Sequence, residues 1–222
     1  MSLAKNYFAW QARLVLPYLG QRVAEIGSGT GNFTGLLLDR ELVVAVDLDP
    51  AALREFDNRY GRRENLRTVL CDAADSRFAE VAQFAPDSCV CLNVLEHIED
   101  DAGAMRNMAG ILPPGGTIVL LVPAFNALYG PIDRNLGHFR RYTRKGVAAL
   151  ANQAGVIPRR LGYVNIAGWF GWWWNAHVAG RPAQSEAQIA AFDRWMVPAI
   201  ARLEALAPAP FGQSLLAVLE KR

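Results

Sequence analysis

The residues best placed to do chemistry form a glycine-rich turn after a short apolar stretch, residues 23–31, VAEIGSGTG. Its three alternate glycines, Gly27, Gly29 and Gly31, can adopt positive φ and leave no Cβ between the backbone and a ligand. Backbone N–H groups there, including that of Ser28, could hold an anion or a carboxylate, and a helix starting after the turn would add a favourable field. Glu25, two residues before the first glycine, suits a ligand that carries an ammonium group.

The spacing of this turn argues against two common nucleotide sites. The dinucleotide fingerprint requires G-x-G-x-x-G after a strand, and the sixth position here is Asn32. A phosphate-binding P-loop requires a lysine followed by serine or threonine, which this turn lacks. Glu25 would also repel a polyphosphate. A nicotinamide-dependent oxidoreductase is therefore disfavoured.

Polar residues stand at the ends of the following predicted strands. Residues 42–46, LVVAV, lead into Asp47, sixteen residues after Gly31, and a carboxylate there can accept hydrogen bonds from both ribose hydroxyls of a nucleoside. Asp72, at the third strand end, could supply a second carboxylate beside an adenine edge. The residues that we predict to bind the ligand at these strand ends are Asp47, Leu48, Asp72, Ala73 and Asn93.

Five motifs occur in a fixed order over about residues 20–123: EIGSGTG, VDLD, CDAAD, LNVLEHIED and LPPGGTIVLLVP. With these motifs the chain resembles the Rossmann-like (class I) S-adenosylmethionine-dependent methyltransferases. The resemblance implies an α/β fold with a doubly wound, mostly parallel seven-stranded sheet, an antiparallel last strand and a helical insertion before that strand. It also implies S-adenosylmethionine as cofactor and S-adenosylhomocysteine as product.

The connection after the fifth strand, residues 123–145, is too long for a plain loop, and such length is usually functional. Its pattern, LYG..D...GH.RRY, is similar to a bacterial methyltransferase subgroup, often of unassigned substrate. Asp133 and His138 could form a carboxylate–imidazole pair that orients a base. Arg140 and Arg141 could clamp a phosphate or carboxylate.

A purely structural role for this loop is an equal alternative. In that case Asp133, Arg140 and Tyr142 hydrogen-bond one another and hold the loop, and Arg141 faces solvent. We expect His97, after the fourth strand, to pack and cap more than to act on the substrate, with Glu96 as a supporting partner.

An aromatic segment, residues 168–174, GWFGWWW, has three competing interpretations. The apolar run of residues 166–178 is too short for a membrane span, which needs about twenty residues. The tryptophans could pack in the core, form a dimer interface, or lie at a membrane surface. Core packing, with a monomeric protein, is the favoured expectation. The other two would suit an amphipathic acceptor such as a lipid-linked sugar.

Composition and charge are those of an ordinary globular chain: 222 residues, 52% hydrophobic, 20% charged and a net charge of +2. That charge provides no broad basic field, so nucleic acid is not an expected partner. Cys89 and Cys91 lie two apart on a predicted strand and are expected to be core residues in a reducing compartment. With no evident signal peptide, we expect a cytoplasmic protein.

The predicted elements place these residues in one domain, residues 1–222. A helix is predicted over residues 7–18, alternating strands and helices over 23–122, a helix over 146–154, and strands over 156–165 and 214–219. Residues 123–145 and 166–210 are insertions on the substrate side. The predicted activity is methyl transfer to a small-molecule or lipid/glycan acceptor by in-line displacement, without a metal. The alternative is a non-catalytic module that binds the donor within an assembly.

Overall fold

The computed structural model describes residues 4–61, 63–183 and 185–222, and a seven-stranded mixed sheet is its framework. The strands run in the spatial order β3-β2-β1-β4-β5-β7-β6, and β7 is antiparallel to both of its neighbours. The predicted mixed sheet with an antiparallel last strand is thereby confirmed. The strands are β1 (Arg22–Ile26), β2 (Leu42–Asp47), β3 (Leu66–Leu70), β4 (Ser88–Leu92), β5 (Thr117–Pro123), β6 (Val156–Val164) and β7 (Ser214–Lys221).

The central strands are buried on both faces, which explains their uninterrupted apolar sequences. In β2, Val44 and Val46 belong to one core cluster, and Val43 and Ala45 belong to the cluster on the opposite face of the sheet. The thiols of β4 are fully buried, as predicted, and burial raises the pKa of Cys89 well above the usual range of a thiol.

Eight α-helices accompany the sheet in the described part of the chain. The Asp49–Pro50 pair starts the second of them as predicted, and the Asp49 carboxylate accepts a hydrogen bond of 2.7 Å from the Ala51 N–H. The helices are α1 (Lys5–Val15), α2 (Pro50–Tyr60), α3 (Asp101–Gly110), α4 (Pro131–Leu136), α5 (Arg144–Gln153), α6 (Ile166–Trp174), α7 (Glu186–Ala191) and α8 (Val197–Leu206).

The segment after β1 differs from expectation. No α-helix follows the glycine turn among the described residues up to β2, only a 3₁₀ turn over Thr34–Leu36. Gly31 and Gly35 disfavour helix there, and the hydroxyl of Tyr60 donates to the Gly31 carbonyl, which fixes a non-helical path. The turn therefore relies on individual N–H groups rather than on the field of a helix.

The connection between β6 and β7 is helical, as predicted. Two π-helical segments extend its helices: Asn175–Ala179 continues α6, and Phe192–Met196 joins α7 to α8. The Asp193 carboxylate accepts hydrogen bonds from the backbone N–H groups of Asn6 (3.1 Å) and Tyr7 (2.8 Å), which ties this insertion to α1. Within the described residues, none of the helices combines the length and the apolar character that crossing a bilayer would require.

Candidate active site

The glycine turn is held against the end of β2 by backbone hydrogen bonds. The N–H of Gly27 donates to the Val46 carbonyl (2.8 Å), and the N–H of Gly29 donates to the Asp47 carboxylate (2.7 Å). Both glycines have positive φ, 71° and 53°. A Cβ on Gly27 would lie 2.3 Å from the Val94 side chain, whereas a Cβ on Gly29 would meet nothing within 4 Å. Gly29 therefore borders open space that a ligand can fill.

Glu25 lies beneath this turn with 5% of its surface exposed. The Thr34 hydroxyl donates a 2.5 Å hydrogen bond to its carboxylate. Burial, with a smaller contribution from Asp47, raises the pKa of Glu25 to about 8. An ammonium group placed beside it would stabilise the ionised form, which is the role predicted for Glu25.

The strand ends beside the turn combine carboxylates with an uncovered apolar side chain. The Asp47 carboxylate is held in place by a second backbone N–H, that of Asp49 (2.9 Å), and Leu48 is 66% exposed. Asp72 is exposed and accepts a hydrogen bond from the Ala74 N–H (2.8 Å), while Ala73 is buried. Together with the open space at Gly29, these groups fit a nucleoside whose ribose needs acceptors and whose base needs an apolar surface.

A cavity of about 660 Å³ lies next to this edge of the sheet. Its walls come from α1, the ends of β4 and β5, the start of β7, and the insertion that contains α6. Asn93, at the end of β4, lines the cavity, and β4 pairs with β1, which carries the glycine turn. Because the strand order reverses between β1 and β4, the cavity stands where doubly wound sheets bind ligands.

Asp133, fully buried, is the centre of a hydrogen-bonded cluster beside the cavity. One of its oxygens accepts from His138 Nδ1 (2.9 Å) and Arg141 Nε (2.8 Å), and the other from the Gly130 N–H (3.0 Å) and Trp172 Nε1 (3.3 Å). Although burial acts to raise it, the hydrogen bonds from His138 and Arg141 lower the pKa of Asp133 to about 2. Asp133 is therefore an anion that fixes the orientation of His138.

His138 lines the cavity, and its second ring nitrogen is not used by this cluster. When Nδ1 donates to Asp133, Nε2 carries the lone pair. Nε2 lies 4.0 Å from the carboxylate of Glu96, which is 1% exposed and whose other oxygen has no hydrogen-bond partner in the described part of the chain. Burial raises the pKa of Glu96 to about 8. The His138 imidazole and the Glu96 carboxyl group thus lie side by side at one wall of the cavity.

Glu96, His97 and His138 are also the residues whose atom types could hold a metal ion, since their ligand atoms lie within 4.8 Å of one another. The separation of 4.0 Å between His138 Nε2 and Glu96 is wider than the ~3.4 Å between two ligands ~2.1 Å from one tetrahedral ion. The His97 ring meets the His138 ring edge-on, with centroids 4.6 Å apart. His97 therefore packs against the proposed base, as expected, and it also lines the cavity.

The two arginines of the loop do not form the predicted anion clamp. Arg141 is 4% exposed, where we expected a solvent-facing charge, because Asp133 requires a buried counter-charge. It also donates to the Ala124 carbonyl (3.2 Å) and lies over the Trp172 ring, 5.2 Å from its centroid. Its Nε and Nη1 are therefore engaged within the protein, although Arg141 also lines the cavity.

Arg140 lies outside the residues that line the cavity, contrary to the expectation that it would face the cleft. Its guanidinium pairs with Asp101 (2.9 Å) and donates to the Glu99 carbonyl (2.7 Å). The hydroxyl of Tyr142 donates to the same Asp101 carboxylate (2.9 Å). The predicted Asp133–Arg140–Tyr142 cluster is thus two clusters, one at Asp133 and one at Asp101.

The aromatic segment is only partly in the core. Trp172 is half-buried against Asp133, whereas Trp173 and Trp174 are 41% and 57% exposed. The favoured expectation of core packing is therefore wrong for these two tryptophans. Among the residues of α6, only Gly168 is buried, because the helix packs along one narrow face and its outer face lacks a partner in the described structure.

Several cavity residues were not singled out from the sequence. Asn165 has φ of 65°, caps α6 through the Gly168 N–H (2.9 Å), and donates to the Gln213 side chain (2.8 Å). Asn93, which the sequence did predict, shares this positive φ, and asparagine at a strand end is the sequence signal for such a backbone. Tyr7 lines the cavity from α1, and only the tertiary contact with Asp193 places it there.

Comparisons with known proteins agree with this geometry. Residues 24–120 match the family described as "Methyltransferase domain". An uncharacterized methyltransferase of Mycobacterium bovis is 32% identical over 108 residues, which are 48% of this chain and 53% of that protein. A ubiquinone biosynthesis O-methyltransferase of Alkalilimnicola ehrlichii is 28% identical over 108 residues, 45% of this chain and 40% of that protein. The chain spans about half the length of the curated relatives it matches.

Methyltransferases of known structure share this fold. The N-methyltransferase NodS from Bradyrhizobium japonicum, in complex with S-adenosylhomocysteine, superposes with a TM-score of 0.60 at 17% identity, over 98% of this chain and 86% of that one. The fold, the glycine turn and the sequence order of the strand-end residues therefore agree with the family match over residues 24–120. Residues 24–120 therefore carry the sequence of a methyltransferase domain, and the chain has the fold of methyltransferases of known structure.

Proposed function

We propose that this protein transfers a methyl group from S-adenosylmethionine to an oxygen or nitrogen atom of an acceptor held in the cavity, with His138 as the base. The observation that carries the proposal is the position of His138. Its Nδ1 is held by the buried Asp133 anion, and its ring lines the cavity next to the sheet edge that carries the glycine turn. That arrangement leaves Nε2 free to accept a proton.

The donor would be held by the glycine turn and the strand ends. In this proposal Glu25 faces its ammonium group, Asp47 its ribose, and Leu48 and Asp72 its adenine. When bound, it supplies a methyl group on a positively charged sulfonium that is already activated for displacement. The full proposed set of donor contacts is Glu25, Gly27, Ser28, Gly29, Gly31, Asp47, Leu48, Asp72, Ala73 and Asn93.

The chain's own contribution is alignment, exclusion of water and proton removal. The cavity walls from α1 and α6 would hold the acceptor and separate it from solvent. His138 Nε2 would take the acceptor's proton, and the Asp133 carboxylate would stabilise the resulting imidazolium. Arg141 keeps Asp133 ionised and in place, so it is a positioning residue, and Arg140 holds the loop through Asp101.

The presence of a base bears on which atom of the acceptor is methylated. The relative from Alkalilimnicola ehrlichii is named an O-methyltransferase and NodS an N-methyltransferase, so relatives differ in the atom they methylate. A base beside the cavity favours an acceptor with a removable proton over a carboxylate or phosphate, which would need none. Intact donor-side carboxylates, Glu25, Asp47 and Asp72, argue against a dead donor site, and a histidine oriented by Asp133 beside the cavity favours catalysis over donor binding alone.

The test uses S-adenosylmethionine labelled in its methyl group and incubated with polar and lipid extracts of bacterial cells. We expect label to enter one extract with wild-type protein, and His138→Ala to lower that rate by about 10²–10⁴-fold, the usual contribution of general acid–base catalysis. Asp39→Ala, at an 81% exposed side chain outside both proposed sites, is the control and should keep the rate. Affinity for S-adenosylhomocysteine should be equal in all three proteins.

A chelator separates the base from a metal ligand. With His138 as the base, EDTA should leave the rate unchanged. Loss of the rate in EDTA and its recovery with a divalent cation would instead assign Glu96, His97 and His138 to a metal. A His138→Ala variant with wild-type activity would rule out both roles.

A further inference from the structure

The insertion between β6 and β7 presents an apolar stripe to solvent on its first helix. Phe170, Trp173, Trp174 and Val178 are between 41% and 57% exposed. Their spacing of 3, 4 and 8 residues puts them on one side of the helix formed by α6 and its π-helical extension. A continuous stripe of exposed aromatic side chains, on a chain of ordinary globular composition, marks an interaction surface.

A similar stripe lies on the continuous helix that α7, the π-helical segment Phe192–Met196 and α8 form. Trp195, Met196, Leu203 and Leu206 are between 44% and 85% exposed. At 100° per residue, positions 195, 196, 203 and 206 fall within about 100° of one another around the helix axis. Both helices therefore leave large apolar side chains substantially exposed.

The charges of the insertion complement an anionic surface. Arg181, Arg194 and Arg202 are exposed, and Arg194 lies over the Trp195 ring, 5.0 Å from its centroid. Asp193 is buried on the N-terminus of α1, and the Glu204 carboxylate is engaged by the N–H groups of residues 165 and 166. Among the described residues of the insertion, Glu186 is the exposed acidic group. The outward surface of the insertion is thus apolar and carries more exposed basic side chains than acidic ones.

The cavity is lined jointly by the proposed acceptor site and by the insertion. His138, Asn165 and Gln213 contribute polar groups to its wall, and Trp174, Ile189 and Phe192 of the insertion contribute apolar surface. A molecule with a polar head and an apolar tail matches this lining: the head would reach His138 and the tail would lie along the insertion.

We infer that the insertion, residues 166–210, lies in the headgroup region of an anionic lipid bilayer, and that the acceptor is an amphipathic molecule held in that bilayer. Tryptophan and arginine beside apolar side chains are the residues of interfacial helices, which lie on a membrane without crossing it. The membrane contact is independent of the proposed methyl transfer, whereas the amphipathic acceptor rests on it.

Vesicle co-sedimentation tests the membrane contact without donor or acceptor. Wild-type protein should pellet with vesicles of phosphatidylcholine and phosphatidylglycerol, bind pure phosphatidylcholine more weakly, and show a blue shift of tryptophan emission on binding. Phe170→Ser/Trp173→Ser should lower binding to the anionic vesicles at least tenfold. Arg194→Gln/Arg202→Gln should reduce the preference for anionic vesicles, and Leu70→Ser, at an exposed leucine of β3, is the control that should change neither.

Unchanged affinity for S-adenosylhomocysteine shows that each variant is folded. Absence of vesicle binding by the wild type would overturn the inference. So would a dimer in size-exclusion chromatography that the Phe170→Ser/Trp173→Ser variant loses, because a second copy would then cover the stripes. Vesicle binding with no labelled product in lipid extracts would retain the membrane contact and reject only the amphipathic acceptor.

Discussion

The proposed donor side, which is the glycine turn with the strand ends at Asp47 and Asp72, and the proposed acceptor side, which is the cluster around Asp133 and His138, are built in different ways. On the donor side, Gly29 contacts Asp47, the end of the adjacent parallel strand, so neighbouring motifs in the sequence make neighbouring walls of the site. On the acceptor side, Asp133 contacts Trp172, 39 residues away, and Asn6 contacts Asp193, 187 residues away. The donor side is a property of the sheet edge, whereas the acceptor side depends on how separate insertions meet.

This difference has an energetic consequence. The proposed donor groups are held by short-range hydrogen bonds at the sheet edge, from the Gly29 and Asp49 N–H groups to the Asp47 carboxylate. The acceptor cluster buries Asp133 and Arg141 together, and a buried ion pair is tolerated only while both partners are present. We therefore expect changes on the acceptor side to affect stability and catalysis without affecting donor affinity, and changes on the donor side to do the reverse.

The largest expected effect is that of Asp133→Asn. Removal of the charge leaves Arg141 buried without a counter-charge, which should cost about 3–5 kcal/mol of unfolding free energy. Chemical denaturation measures that cost, and Asp39→Asn, at an 81% exposed side chain, should show no comparable change. Affinity for S-adenosylhomocysteine should be retained below the new melting temperature. A large loss of donor affinity would break the separation of the two sides.

The same carboxylate predicts the acid limb of stability. The pKa of Asp133 is lowered to about 2 from an ordinary value of 3.8. Its stabilising contribution is therefore present above pH 3.8 and is lost as the pH falls through 2. Wild type and Asp133→Asn should converge in unfolding free energy over that range.

Asp47→Ala tests the donor side. The variant removes a carboxylate that we propose accepts hydrogen bonds from the ribose, so S-adenosylhomocysteine should bind more weakly by about 1.5–3 kcal/mol. Isothermal titration calorimetry measures the change, with Asp39→Ala as control. Unchanged affinity would remove Asp47 from the donor site.

Gly29→Ala sharpens the same side with a smaller effect. The added Cβ would enter the open space beside Asp47, and we expect an affinity loss of about tenfold, roughly 1.4 kcal/mol. Its φ of 53° adds backbone strain that is unrelated to the ligand. Gly155→Ala supplies the matched control, since Gly155 also has positive φ, 73°, and open surroundings. The two variants should lose similar stability, and only Gly29→Ala should lose affinity.

Glu25 gives the smallest effect, a pH dependence. With its pKa raised to about 8 from 4.5, the carboxyl is mostly protonated at pH 7 in the free protein. An ammonium group beside it favours ionisation, so binding S-adenosylhomocysteine at pH 7 should release up to one proton. Calorimetry in two buffers of different ionisation enthalpy measures the release, and Glu25→Gln should abolish it.

The raised pKa of Glu25 also has a sign for stability. Because the unfolded carboxyl ionises near 4.5 and the folded one near 8, the free protein loses stability as the pH rises between these values. Glu25→Gln should therefore melt at a higher temperature than wild type at pH 8, and the difference should shrink toward pH 5. A constant difference across that range would contradict the raised pKa.

The sequence by itself determined the framework and the position of the proposed donor residues at one sheet edge. Alternation of apolar strands with helices predicted the sheet, and Asp49–Pro50 marked the start of α2 within one residue. The glycines and Asp47 could be predicted because strand ends of a parallel sheet meet at one edge, so order along the chain becomes proximity in space. The prediction of a helix after Gly31 was wrong. The Tyr60 hydroxyl that donates to the Gly31 carbonyl lies 29 residues away, so the sequence around Gly31 does not reveal this contact.

Apart from one pair of residues, the tertiary structure decided the proposed acceptor side. Asp133 and His138, five residues apart, were predicted as a pair and form one, because a short loop brings them together. Arg140 and Arg141 are adjacent and chemically identical, yet one pairs with Asp101 and the other is buried with Asp133. Likewise, nothing local distinguishes Trp172, half-buried, from Trp174, exposed, since burial depends on which elements pack against α6. Local patterns specify backbone, and long-range packing specifies which side chains face the cavity, the core or the solvent.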